Sequence, residues 1–213
     1  MSHAELDTPE PVPGAEASAP AVVRKRPKPG ERRVQILQAL ATMLEQPGSE
    51  RITTAALAAR LEVSEAALYR HFASKAQMFE GLIEFIEQSV FTLINQIAER
   101  EPAGPAQAGR IVAMLIQFAE KNPGMTRVMV GDALVFENDR LQQRMNQFFD
   151  KVEASLKQCL RVAGEASAAP TVDASVRASV LTAFIVGRLQ RFARSGFKRA
   201  PSEHLDASLA RML

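Results

Sequence analysis

Apolar residues recur at helical spacing along most of the chain, and the clearest run lies between Lys75 and Arg100. One stripe in this run contains Phe79, Leu82, Ile83, Ile86, Val90, Leu93, Ile94 and Ile97. This periodicity predicts a long amphipathic helix, which Pro102 brings to an end. No segment shows a convincing alternation of apolar and polar residues, so the pattern as a whole predicts an all-α protein.

Seven further helices follow from the same periodicity and from the prolines and glycines that interrupt it. We predict them over residues 29–46, 53–60, 64–70, 106–121, 123–136, 139–163 and 173–194. Val34 is assigned to the buried face of the first of these helices, and Asp139 to the N-cap of the helix over 139–163. Gly164 and Gly196 stand where a glycine commonly ends a helix.

The segment from Thr53 to Lys75 has the spacing of two short helices joined by a three-residue turn, Glu62-Val63-Ser64. The apolar residues expected to form its core are Leu57, Ala58, Leu61, Val63, Ala67, Leu68 and Phe72. Such spacing is typical of a helix-turn-helix, in which the second helix enters the major groove of DNA. An ordinary pair of packed helices with a solvated tip has the same spacing, and this alternative stays open here.

A helix in the major groove reads base edges with its N-terminal residues and contacts phosphates with the others. Small Ala66 permits a close approach to the bases, while Tyr69, His71 and Lys75 have the reach and polarity for phosphate oxygens. The residues of this segment predicted to contact double-stranded DNA are Thr53, Thr54, Ser64, Glu65, Ala66, Ala67, Tyr69, Arg70, His71 and Lys75.

The net charge of +2 hides a sharp asymmetry near the N-terminus. Residues 1–23 contain four acidic residues, four prolines and no Lys or Arg, a composition that predicts disorder. Residues 24–33 contain six basic residues and one acidic residue, which indicates an arm that contacts phosphates. The arm residues assigned to DNA are Arg24, Lys25, Arg26 and Lys28. The alternative is a solvated arm that binds nothing.

The stretch ITTAALAARLEVSEAALYRHFASKAQMFEGLI, from Ile52 to Ile83, resembles the DNA-binding signature of the TetR-type regulators. The resemblance implies a TetR-like, all-α homodimer with an N-terminal three-helix DNA-binding domain and a C-terminal helical dimerisation domain. We therefore divide the chain into an extension and basic arm (1–28), a helix-turn-helix domain (29–74), and a dimerisation and partner-binding domain (75–213). Glu62 departs from the family, which has Gly in this turn. A left-handed backbone there would cost about 1 kcal/mol for a non-glycine residue.

Two segments outside that signature, KNPGMTRVMVGDALVFENDRLQQRMNQFF and RFARSGFKRAP, resemble one group within the family, the nucleoid occlusion factors. This resemblance implies that DNA-bound dimers engage the C-terminal tail of FtsZ, the tubulin-like division GTPase, and prevent its ring from assembling over the chromosome. The implied partner residues are Phe85, Leu93, Met114, Gln117, Lys121 and Asn122. Leu93 stands where this group carries Arg. The alternative function is that of a ligand-responsive transcriptional repressor with the same fold.

Phe85 also stands out from the residues alone. It lies about 120° from the apolar stripe of its helix when positions are counted at 100° per residue. A large aromatic side chain in that position is either buried under a second neighbour or exposed for a partner. The sequence leaves both possibilities open, and the resemblance favours the partner.

The last long predicted helix has an apolar face that contains Phe184, Ile185, Leu189 and Phe192, with the small residues Ala183 and Gly187 beside it. This face either belongs to the core of one chain or forms half of a two-fold four-helix bundle. The resemblance favours the bundle, and the dimer contacts are assigned to Phe184, Gly187, Arg188 and Arg191.

Catalytic motifs are absent from the sequence: its three histidines lack metal-ligand partners at helical spacing, and no glycine-rich phosphate loop follows a strand. We expect neither an enzyme nor a cofactor or metal. Cys159, the single cysteine, is interpreted as a small core residue in a reducing compartment. The chain has no run of 18 apolar residues and no secretory signal, so we expect a cytoplasmic protein, and the resemblance adds association with the nucleoid.

Overall fold

The computed structural model describes residues 30–46, 52–163 and 170–213, and these residues form helices and connecting turns without a strand. The helices are α1 (Glu31–Leu44), α2 (Thr54–Arg60), α3 (Glu65–Tyr69), α4 (Lys75–Arg100), α5 (Pro105–Lys121), α6 (Pro123–Met129), α7 (Asp139–Ala163), α8 (Pro170–Arg194) and α9 (Leu205–Met212). A 3₁₀ turn, Asp132–Leu134, lies between α6 and α7. The prediction of an all-α fold is confirmed.

Helices α1, α2 and α3 pack together at one end of the molecule and rest on the beginning of α4. Ile36, Leu40, Leu57, Leu68 and Phe72 are buried almost completely where these helices meet. Burying one side chain of this size stabilises the fold by about 1.5–3 kcal/mol. A cluster this small therefore holds two helices of only seven and five residues, which would not be stable in isolation.

Side-chain caps fix where the short helices begin. The hydroxyl of Thr53 accepts a hydrogen bond from the amide of Ala56 at 3.1 Å, and the hydroxyl of Ser64 accepts one from the amide of Ala67 at 3.3 Å. Such a cap contributes about 1 kcal/mol, because it satisfies a helix-end amide that has no partner within the helix.

The turn between α2 and α3 places Glu62 at φ +53°, in the left-handed region. The backbone here adopts the conformation that the family usually gives to glycine. The cost of about 1 kcal/mol expected from the sequence therefore applies to Glu62. Val63 follows it and packs, half-buried, against the core.

The rest of the chain surrounds α4 and α5 with α6, α7 and α8, while α7 and α8 pair along their length. Phe148 of α7 lies at the centre, fully buried, with its ring 5.6 Å from that of Phe91 in an edge-to-face arrangement. The core is continuous from the short N-terminal helices to α9.

Helix α6 joins the N-terminal helices to this larger body by a backbone contact. Gly124 lies so close to α1 that a β-carbon at this position would overlap the carbonyl oxygen of Ala41. No residue other than glycine allows this approach, so α1 and α6 meet without an intervening side chain.

Four details differ from the expectations above. Val34 is 54% exposed, because the face of α1 that carries it points to solvent rather than to α2 or α4. The helix expected over 123–136 ends at Met129, since Gly131 takes a positive φ of 85° that breaks helical geometry. The cap of α7 is Asn138 rather than Asp139, and its side-chain oxygen accepts a hydrogen bond from the amide of Arg140 at 3.0 Å.

The fourth difference is α9, for which the sequence analysis predicted no helix. The helix expected over 173–194 begins slightly earlier, at Pro170. Gly196 has a positive φ of 61° just beyond its end, as expected of a C-terminal glycine. The expectation for Gly164 lies outside the described residues.

Candidate DNA interface, partner groove and dimer face

The outer surface of α2 and α3, called the recognition face below, consists of small and polar side chains. Ser64, Glu65, Ala66, Tyr69 and Arg70 are exposed on α3 and at its ends. Ala67 is half-buried, so it contributes less to this surface than Ala66 does. An exposed alanine near the helix N-terminus leaves room for a base pair to approach the backbone of α3.

Three polar side chains of the recognition face are hydrogen-bonded to one another. The hydroxyl of Thr54 donates to the Glu65 carboxylate at 2.6 Å, and the Tyr69 hydroxyl lies 3.5 Å from the same Thr54 oxygen. This chain links the start of α2 to both ends of α3. It fixes side-chain directions before any ligand is present, which lowers the entropy cost of binding.

Arg33 of α1 contacts the turn that follows α3. Its guanidinium donates to the backbone carbonyl of His71 and lies 4.1 Å from the centre of the Phe72 ring. His71 itself is half-buried. These contacts hold the turn after α3 in place, so Arg33 positions the recognition face from behind.

Lys75 has a protein partner that the sequence did not indicate. Its ammonium forms an ion pair with Glu137, which lies in the turn before α7. Two more pairs follow along α4 and α7: Glu80 with Arg140 at 2.5 Å, and Glu87 with Arg144 at 2.6 Å. In this structure Lys75 therefore joins α4 to the turn before α7 and is not directed to solvent alone.

The basic arm falls outside the described residues. Arg24, Lys25, Arg26 and Lys28 were assigned to DNA from their charge, and that assignment stays a prediction.

A groove runs between α4 and α5 on the outside of the larger body, with a volume of about 310 Å³. Leu93 and Ile97 line it from α4, while Ala113, Met114 and Gln117 line it from α5. The structure thus brings three of the six predicted partner residues, Leu93, Met114 and Gln117, to one place. We call this feature the α4–α5 groove.

Phe85 lies on α4 beyond one end of the groove and is 48% exposed, whereas Met78, Ile86 and Val90 on the same helix are buried. Of the two possibilities that the sequence left open, the structure shows Phe85 exposed rather than buried under a second helix, and its role in binding a partner stays a prediction. Lys121 is exposed on α5 beyond the same end.

Asn122 has a local role that the prediction did not include. Its side-chain amide donates to the carbonyl oxygen of Phe118 at 2.7 Å and so satisfies a carbonyl at the end of α5. One N–H of the Asn122 amide is thereby engaged within the chain, and its second N–H and its oxygen are left to meet a partner.

The outer face of α8 carries an apolar stripe that the sequence reading missed. Val172, Val176 and Val180 are 62%, 59% and 49% exposed, and Ala183 and Gly187 continue the same side of the helix. These five residues, called the α8 face below, span about 80° when counted at 100° per residue. Valine at every fourth position of a helix was the signal that could have revealed it.

The predicted dimer residues are distributed unevenly around that face. Apart from the backbone of α8 itself, none of the described residues lies within 4 Å of the position that a β-carbon would take at Gly187. Phe184 is half-buried, and Arg191 is exposed. Arg188 is engaged within the chain, where it donates to the Glu203 carbonyl at 2.7 Å and to the Ser208 hydroxyl at 3.2 Å.

The described residues give little support for a metal site or for a reactive cysteine. The described residues contain no group of three or more His, Cys, Asp or Glu side chains that could hold a metal ion. Cys159 is buried, and burial raises the pKa of its thiol. Among the helices of the described ranges, none is both long and apolar enough to cross a membrane.

Comparison with known proteins agrees with this arrangement. Residues 36–82 match the family of bacterial regulatory proteins of the tetR type, and residues 106–212 match the SlmA-like, tetracyclin repressor-like C-terminal domain. The nucleoid occlusion factor SlmA of Idiomarina loihiensis is 52% identical over 177 residues, which cover 83% of this chain and 90% of that protein. The corresponding protein of Photobacterium profundum is 53% identical, with 84% and 92% covered.

The chain belongs to the SlmA family of nucleoid occlusion factors. The resemblance read from the sequence is thereby confirmed, and SlmA-type factors are DNA-binding proteins of the TetR fold.

Solved structures place this SlmA-family chain among TetR-fold regulators at much lower identity. The fatty acid degradation regulator FadR of Bacillus halodurans superposes with a TM-score of 0.70 at 12% identity, over 89% of this chain and 97% of that one. At that identity the similarity concerns the fold alone.

Proposed function

We propose that this protein is a sequence-specific, DNA-binding homodimer that blocks assembly of the FtsZ division ring over the chromosome. The observation that carries the proposal is Phe85, which is 48% exposed at the end of an exposed groove, on a helix whose other large apolar residues are mostly buried. Membership in the SlmA family supplies the function that such a surface would serve.

DNA binding is assigned to the recognition face and to the basic arm. Ala66 and Ser64 would meet base edges, and Tyr69 and Arg70 would meet phosphates. Arg24, Lys25, Arg26 and Lys28 would add contacts with the backbone that do not depend on sequence. Through these contacts the protein would reside on the nucleoid.

Dimerisation is assigned to the α8 face. Three exposed valines beside Ala183 and Gly187 form an apolar strip that none of the described residues covers. A two-fold axis along this strip would place α7 and α8 of both chains in a four-helix bundle, with the small residues at the closest approach.

The FtsZ tail is assigned to the α4–α5 groove together with Phe85 and Lys121. An extended peptide could place apolar side chains against Leu93 and Met114, and its backbone could hydrogen-bond with Gln117. Lys121 supplies a positive charge at the end next to Phe85.

The test is sedimentation of FtsZ polymers with the purified protein, with and without its specific DNA. Phe85→Ala and Lys121→Glu should retain the fold, the dimer and DNA binding but lose inhibition of polymer assembly. An interface aromatic of this kind contributes about 2 kcal/mol or more to binding, whereas truncating a core Phe costs about 3–5 kcal/mol of stability.

Phe136→Ala is the matched control, because Phe136 is 68% exposed and lies outside the groove. If Phe85→Ala and Lys121→Glu both inhibit polymer assembly as strongly as the unmodified protein, the groove is not the FtsZ site.

A ligand-responsive repressor remains the alternative function. The structure has a second cleft, of about 620 Å³, between the end of α4, the start of α5 and the C-terminal half of α7, and Asn95, Gln107 and Gln158 line it. A repressor would release its DNA when a small molecule bound there, and inhibition of FtsZ would be absent.

A further inference from the structure

We propose that the α4–α5 groove has a second, basic end formed by Arg100 and Arg110, which binds acidic side chains of the peptide lying in the groove. The inference rests on the proposed function, since it takes the FtsZ tail as the occupant. It adds a recognition element about 20 Å from Phe85, estimated from the helical rise of 1.5 Å per residue.

Both helices present one continuous stripe to the groove. On α4 the stripe passes through Phe85, Leu93, Gln96 and Arg100, which lie within about 80° of one another at 100° per residue. On α5 the corresponding stripe contains Arg110, Ala113, Met114, Gln117 and Lys121. The turn between the two helices spans only Glu101–Gly104, so Arg100 and Arg110 line the same end of the groove.

The charges of the groove are therefore at its two ends. Arg100 and Arg110 lie at the end next to the turn between the helices, where Glu101 also lines the groove, and Leu93, Ile97, Ala113 and Met114 line the rest of it. Lys121 is exposed on α5 beyond the opposite end, on the side of Phe85. This distribution is complementary to a segment whose central residues are apolar and whose flanking residues are acidic.

Arg110 is prepared for a carboxylate partner. Its guanidinium donates to the Glu101 carboxylate at 2.8 Å, while its own side chain stays 66% exposed. A planar guanidinium can accommodate two carboxylates at different edges, because it has five N–H donors. Glu101 holds the side chain over the groove and also competes with an incoming acidic residue.

The length of the groove indicates the size of the occupant. From Phe85 to Arg100 the helical rise amounts to about 22 Å, a distance that about seven residues of extended chain would cover.

The experiment is fluorescence anisotropy with a labelled peptide of the C-terminal tail of FtsZ from the same species, and with a second peptide in which amides replace the acidic side chains. Arg100→Gln and Arg110→Gln should each weaken binding of the acidic peptide about two- to five-fold, as expected for partly exposed ion pairs. Glu101→Gln should strengthen it, because the competing carboxylate is removed. The amide peptide should not distinguish these variants.

Arg161→Gln is the control, since Arg161 is an exposed arginine on α7 outside the groove. Unchanged affinity in the double variant Arg100→Gln/Arg110→Gln, alongside loss of binding in Phe85→Ala, would overturn the basic end and leave the proposed function intact. A tail peptide that does not bind the unmodified protein, with or without specific DNA, would overturn both.

Discussion

The recognition face and the α8 face are both exposed in the single chain, but the first exposes polar side chains and the second exposes apolar ones. On the recognition face the Tyr69, Thr54 and Glu65 side chains are hydrogen-bonded to one another. On the α8 face three valines are about half exposed or more, and a β-carbon at Gly187 would meet no described residue outside its own helix. The first surface suits a ligand that is bound and released in water, and the second suits a permanent cover.

The two faces also differ in whether neighbouring or distant residues determine their structure. Thr53 and Ser64 cap the short helices within three residues of themselves, so the recognition face is largely determined by neighbouring sequence. The outward direction of Val172, Val176 and Val180 depends on which side of α8 packs against α7, and this is set by contacts between distant residues.

The largest effect that would test this comparison is expected from Ala66→Glu on the recognition face. The carboxylate would stand against the negatively charged groove of DNA, so specific binding should fall to the nonspecific level, on the order of 10³-fold weaker. The melting temperature should not change, because Ala66 is exposed. Anisotropy with specific and scrambled DNA measures the first effect, and circular dichroism measures the second.

Ala207→Glu, at an exposed position of α9, is the matched control for Ala66→Glu. A loss of folding in Ala66→Glu would show that this residue belongs to the core and that α3 is rotated from the orientation described.

An intermediate effect is expected from Gly187→Leu on the α8 face. Overpacking a closely packed interface costs about 1–3 kcal/mol, so the dimer dissociation constant should rise about five- to 150-fold. Within one chain the substitution should do no harm, because apart from the backbone of its own helix no described residue comes within 4 Å of the new β-carbon, and leucine favours helix more than glycine does. Sedimentation over a series of concentrations gives the measurement.

Ala106→Leu, at an exposed position on α5 outside the proposed bundle, serves as the control for Gly187→Leu and should leave the dimer unchanged. A dimer unaffected by Gly187→Leu would mean that α8 is not at the two-fold axis.

The smallest effect is expected from Glu137→Gln, at the contact between the start of α4 and the turn before α7. The substitution removes the ion-pair partner of Lys75 and frees its ammonium for a phosphate. DNA affinity should rise a few-fold, and the slope of log affinity against log salt should steepen by up to about one unit. Titrations at several salt concentrations measure both quantities.

Glu203→Gln removes a more exposed ion pair, with Arg199, and should leave the slope as it is. If Glu137→Gln also leaves affinity and slope unchanged, Lys75 does not face DNA, and its assignment to the interface is wrong.

The parts of the fold that could be predicted are those with local signals. The bounds of α4 at Lys75 and Arg100 were predicted correctly, because an unbroken apolar stripe ends at prolines and glycine. The two short helices predicted over residues 53–60 and 64–70 are also present, at Thr54–Arg60 and Glu65–Tyr69. Phe85 could be singled out by its angle on α4, although only the structure showed that no second helix covers it.

The parts that could not be predicted depend on distant contacts. Val34 looked like a core residue by spacing, yet no helix packs on its side of α1. The ion pair of Lys75 with Glu137 joins residues 62 positions apart, and no local pattern indicates it. Helix α9 has only eight residues, which gave a weak signal, and its contacts with Arg188 of α8, through Ser208 and through Glu203 just before the helix, join distant parts of the sequence.

Gly124 has a consequence for the spacing of the DNA sites that the proposed dimer would accept. Because α6 touches the backbone of α1 directly at Gly124, and the core continues across this junction, the N-terminal helices are held firmly against the larger body. In the proposed dimer the distance between the two recognition faces is then fixed by the helices that join the two chains. Such a dimer would bind half-sites that lie a whole number of helical turns apart, about 34–36 Å for one turn. Half a turn inserted between the half-sites would move one of them to the far side of the duplex, where the second recognition face could not contact it.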